Sequence, residues 1–265
     1  MLLSLLLGAV VGVIMGLTGA GGGILAVPLL VFGQRMTVVA AGPVALLAVG
    51  AGAALGAWFG LRTGIVRYRA AMLVAAIGIA ASPAGVWLAA RLDTRLLTLV
   101  FAAVLALVAA KGLRDATAAK RDGDIAAVRR ACRCDPHTGR LAWTTGCAGR
   151  LSVMGAAAGL LSGLLGVGGG FVVVPALQRF TDLDMRATVA TSLAVITLIS
   201  FAGVAVSVHG GHFDLGVGVP FGAGTVLGVL GGGRLASRWP PRHLKAAFAI
   251  VCLAVAAGLA VKILA

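Results

Sequence analysis

The stretch GLTGAGGGILAVPLL occupies residues 16–30. Its centre, Gly19-Ala20-Gly21-Gly22-Gly23, sits inside an apolar segment with no acidic or basic residue from Met1 to Gln34. Each glycine in a helix interior costs about 1 kcal/mol relative to alanine, so four within five positions predict a break. A near copy, GLLGVGGGFVVVPAL, occupies residues 163–177. The two align without a gap at an offset of 147, with identity at nine of fifteen positions. The matches include Gly16/Gly163, Gly19/Gly166, Gly21/Gly168, Gly22/Gly169, Gly23/Gly170 and Pro28/Pro175.

The same offset pairs Leu46 with Leu193, Gly56 with Gly203, Gly85 with Gly232, Arg91 with Arg238 and Phe101 with Phe248. Biased composition would scatter Ala and Leu matches; it would not hold Gly, Pro and Arg in one register. The chain therefore reads as a duplication, residues 1–112 and 151–265, joined by a linker loop at 113–150.

Only 11% of the 265 residues are charged, and mean hydropathy is +1.06. A soluble domain carries about 25% charged residues. Charge-free runs recur at 36–61, 70–90, 96–110, 151–178, 187–208, 215–233 and 246–261, most near the roughly 20 residues that cross a bilayer as helix. This predicts an all-α polytopic membrane protein. Residues 1–17 lack the basic start of a signal peptide. The net charge of +14 sits in the loops, where it sets topology and meets anionic lipid; the partner it implies is the bilayer, not nucleic acid.

Residues 2–33 as one straight helix would measure about 48 Å, too long for a core of about 30 Å. If each glycine phrase crosses the membrane once, the Lys and Arg residues divide 13 to 9 between the faces; if each turns back, they divide 18 to 4. The positive-inside rule selects the second arrangement. The expected fold is two inverted repeats, each a re-entrant or broken helical hairpin plus three transmembrane helices. The predicted arms are 2–18 with 24–33, and 151–165 with 171–179. The predicted spans are 37–61, 70–90, 95–111, 186–208, 214–236 and 243–262. Both termini fall outside the cytoplasm, and the central loop falls inside.

Irregular backbone at membrane depth must face protein or a wet cavity, and paired broken elements in repeats point to a transporter's binding site. The arm after each turn begins with free amides, and a helix N-terminus suits an anion. Candidate ligands are therefore Thr18, Gly19, Gly21, Gly22 and Gly23 from the first phrase, with Gly166, Gly168, Gly169 and Gly170 from the second. Thr191 and Ser192 lie in the span that follows. No charged residue stands mid-span, so the site favours an anion over a cation that would want carboxylates. No catalytic group or cofactor is implied.

Paired GxxGxGGGxxxVPxL phrases opening two halves, with ATVATSLAVI at 187–196, resemble the sulfite exporter TauE/SafE family. The resemblance implies transport of a small inorganic or organic sulfur anion, sulfite or an organosulfonate, across a bacterial inner membrane. In the first half, AAGPVALLAV at 40–49 departs from the family's Thr-Ser-Leu pattern. The residues alone give an anion-suited secondary transporter. A passive anion channel on the same scaffold is the first alternative. The second is a redox or metal sensor built on the central loop, where Cys132, Cys134, His137 and Cys147 could supply zinc ligands. A cytoplasmic loop would keep those thiols reduced.

Overall fold

A computed structural model describes residues 1–18, 22–117, 132, 144–209, 215–236 and 250–259. Its helices are α1 (Leu2–Thr18), α2 (Gly23–Gly33), α3 (Val38–Arg62), α4 (Tyr68–Arg91), α5 (Thr94–Thr117), α6 (Thr145–Leu165), α7 (Gly170–Phe180), α8 (Met185–His209), α9 (Leu215–Ala236) and α10 (Ile250–Leu259). Among the described residues, five helices are long and apolar enough to cross a membrane: α3, α4, α6, α8 and α9. Large apolar side chains such as Met72, Leu107, Val153 and Leu227 face outward, a surface matched to lipid rather than water. Arg62 stacks on Trp58 and Arg91 on Trp87, with the guanidinium 4.7 and 4.0 Å from the ring centres. Such pairs anchor helix ends at a membrane interface.

The first glycine phrase turns back. Gly22 packs against Met15, Gly33 against Leu7, and Gln34 bonds Ser4, so α2 retraces α1. The second does likewise: Arg150, in the second turn of α6, stacks 5.8 Å from the ring centre of Phe180, the last residue of α7. Two boundaries differ from expectation: α5 continues to Thr117 instead of ending at 111, and α6 starts early. Thr144 caps Cys147 N–H and starts α6 at Thr145 instead of 151, so this arm alone is about 31 Å long at 1.5 Å per residue. The last predicted span is described only over 250–259.

α1 packs mainly on α9, α4 on α6, and α3 on α8. The first two pairs run parallel. Gly8 abuts Phe221 and Gly12 abuts Thr225; Gly155 abuts Val74 and Gly159 abuts Gly78. Each contact in one pair has its counterpart 147 residues away in the other. At Gly12 and Gly159 the neighbouring carbonyl lies where a Cβ would stand, so the backbones approach as only small residues allow. The α3–α8 pair runs antiparallel: Gly50 meets Ser200, Gly56 meets Leu193 and Gly60 meets Ala190. The halves thus interlock, each lending its first arm to the other's fourth helix.

Candidate functional site

The start of α2 and the second turn lie in the interior. Eight of the eleven α2 residues are buried, as expected of a short helix apolar on every side. Gly166, Val167, Gly168, Gly169 and Gly170 are all buried. In the second turn Gly166, Gly168 and Gly169 have φ of +69°, +76° and +69°. L-residues with side chains rarely adopt this region, which explains three glycines in four positions. The Gly166 N–H closes α6 on Ser162 O at 2.8 Å. The amides of Gly168, Gly169, Gly170 and Phe171 have no hydrogen-bond partner among the described residues. Successive amides in such a turn, followed by a helix start, form an anion-binding concavity.

The two turns meet. A Cβ on Gly23 would stand 3.0 Å from Val49 Cγ1 and 3.1 Å from Val167 O. One on Gly168 would stand 2.8 Å from Ser200 Oγ, 3.1 Å from Val49 Cγ1 and 3.2 Å from Ile196 Cγ2. Val49 and Ile196, themselves 147 residues apart, bracket the junction as apolar walls. Gly42 of α3 lies against Gly166. The central helices α3 and α8 therefore hold the turns in place.

A cavity lies on each side of this junction. One, of about 420 Å³, is lined by Met15, Gly16, Gly56, Phe59, Val189 and Leu193, among others. The other, of about 300 Å³, is lined by Gly42, Leu46, Gly163, Gly166, Val206 and Ser207, among others. Gly16/Gly163, Phe59/Val206, Gly42/Val189 and Leu46/Leu193 are pairs at the 147 offset, so the two chambers are counterparts. The first reaches the C-terminal half of α3 and the second its N-terminal half.

The candidates from sequence divide as follows. Gly168 and Gly23 both lie against Val49 at the junction, and Gly166 lies against Gly42; Gly169 faces Ala158 O and Gly170 begins α7; Gly22, with φ of −59°, caps α2 against Met15. Gly19 and Gly21 lie outside the described residues, and Thr18 closes α1. Thr191 is held elsewhere: its Oγ1 accepts from Arg67 N at 3.1 Å, fixing the α3–α4 loop. Ser192 donates to Val189 O at 2.8 Å. Ser200 was not foreseen, although it lies eight residues after Ser192, on the same helical face. The reduced-thiol expectation is corrected: Cys132 and Cys147 are both buried and joined in a disulfide, Cα atoms 5.0 Å apart. The joining is local geometry, since Cys132 N–H donates to Phe180 O at the open end of the hairpin whose other arm carries Cys147. Cys134 and His137, the remaining members of the zinc set, lie outside the described residues.

The family model for the sulfite exporter TauE/SafE matches residues 4–259. A "Probable membrane transporter protein" of Xylella fastidiosa (strain 9a5c) is 29% identical over 253 residues, covering 94% of this chain and 90% of that one. A protein of the same description from strain Temecula1 is 32% identical over 194 residues, covering 71% and 67%. No solved structure matches significantly.

Proposed function

The chain belongs to the sulfite exporter TauE/SafE family, whose curated relatives are named as membrane transporters, and we propose that it is a secondary carrier of a small sulfur anion, sulfite or an organosulfonate. The anion binds where the two glycine turns meet. Its charge is stabilised by the amides of Gly168, Gly169, Gly170 and Phe171, in surroundings dry enough to strengthen each bond. The observation that carries this reading is the left-handed glycine turn, buried, facing the start of α2, with a chamber on either side.

The repeats are inverted in this reading. Antiparallel packing of α3 on α8, which occupy equivalent places in the two halves, supports it. Inversion puts the larger chamber on the cytoplasmic side and the smaller on the other, with the central loop in the cytosol of a bacterial inner membrane. Rocking of one repeat against the other then exposes the junction to each side in turn. The junction separates the two chambers, which favours a carrier over an open pore. Proteoliposomes decide it. Sulfite uptake should saturate and accelerate with sulfite on the far side; unsaturable flux with single-channel currents would make it a pore.

A further inference from the structure

Two residues beside the second turn carry hydroxyls unpaired among the described residues. The hydroxyls of Ser162 and Ser200 are buried, with residue exposures of 1% and 0%, and neither has a hydrogen-bond partner among the described residues. Serine and threonine in helices ordinarily return the hydroxyl to a carbonyl three or four residues back. Ser192, Thr197, Ser207 and Thr225 all do so. An orphaned buried hydroxyl is a net cost to folding. Both residues adjoin one feature: Ser200 Oγ lies 2.8 Å from where Gly168 would carry a Cβ, and the backbone carbonyl of Ser162 receives the Gly166 amide.

The duplication makes the pair more telling. Their counterparts 147 residues earlier are Met15 and Ala53, which have no hydroxyl. The two halves of the junction are therefore chemically unequal. We propose that Ser200, assisted by Ser162, is the side-chain donor of the anion site, and that the anion rests on the second turn instead of midway between the two. This rests on the anion-carrier reading above. Hydroxyls set among amides supply several divergent donors, which suit the separate oxygens of a sulfur oxyanion better than a spherical halide.

The test uses the full-length protein purified in detergent, with sulfite as the probe and chloride for comparison. Loss of one hydrogen bond to a charged ligand corresponds to roughly 10- to 150-fold in affinity. S200A should weaken sulfite binding within that range, with chloride affinity changed less, and S162A should act in the same direction more weakly. Without sulfite, the S200A melting temperature should hold or rise, because an unpaired group has been removed; the sulfite-induced rise should shrink. Sulfite affinity within twofold of wild type in S200A would overturn the assignment while leaving the carrier reading intact. So would a lower melting temperature without ligand accompanied by a wild-type sulfite response, which would mark a structural role. Wild-type protein that binds neither sulfite nor an organosulfonate such as taurine would remove both the assignment and the reading beneath it.

Discussion

Gln34 Nε2 donates to Ser4 Oγ across 2.9 Å, although thirty positions separate them in the chain. In one continuous helix those residues would stand about 45 Å apart. This bond ties the open end of the first hairpin and puts both residues at the same edge of the bundle. Cysteines at these two positions should crosslink in native membranes under mild oxidation; absence of a crosslink in folded protein would argue for a single crossing.

The fold-back also predicts sidedness. In a background with Cys134 and Cys252 changed to Ala, Arg35→Cys should react with an impermeant maleimide from outside the cell. Thr63→Cys, at the other end of α3, should react only from the cytosol. Both positions are exposed, so accessibility is not limiting. Labelling of position 35 from the cytosol would reverse the hairpin's entry face.

Gly169 combines a φ of +69° with a Cβ position 2.7 Å from Ala158 O. Any side chain must strain the turn, at about 1–2 kcal/mol for the conformation alone. Gly169→Val should reduce sulfite flux at least about 100-fold, read in proteoliposomes. Gly60→Ala, away from the turns against Ala190 and Val66, should lower the melting temperature and keep most of the flux. Equal flux in Gly169→Val and wild type would count against the turn as the site.

Leu193 and Leu46 occupy equivalent places in the two chambers. In the same cysteine-depleted background, Leu193→Cys should be modified by a small charged thiosulfonate from the cytosolic side, and Leu46→Cys from the opposite side. Saturating sulfite should change the two rates in opposite directions if access alternates. Parallel protection of both from one side would indicate a continuous pore.

The Cys132–Cys147 bond joins residues 15 apart in sequence and ties Cys132 to the start of α6. Its removal by C147A should lower stability by about 2–4 kcal/mol and leave sulfite flux within about twofold. Peptide mapping without reductant should recover the two cysteines linked. Free thiols at both positions in freshly trapped cells would show the bond to be absent in the cytosol.

Much of this architecture was legible along the chain. Apolar runs and glycine punctuation are local properties, so the first hairpin's arms, expected at 2–18 and 24–33, match α1 and α2 within a residue. The offset of 147 read from the sequence recurs in the packing, where Gly12 lies on Thr225 and Gly159 on Gly78. Position in the sequence did not reveal where a hydroxyl would point. Thr191 and Ser192 stood out by type, yet one fixes a loop through Arg67 N and the other bonds its own helix.

The sequence by itself determined that the chain is helical, apolar and duplicated, and that each half opens on a broken segment. Hydropathy and backbone preference act residue by residue and need no partner. Only the tertiary structure decided that α1 pairs with α9 across the repeats, that Val49 and Ile196 bracket the second turn, and that Ser200 reaches Gly168 with no acceptor among the described residues. Those facts depend on close packing between segments far apart in the chain, where sub-ångström differences in approach settle which groups touch.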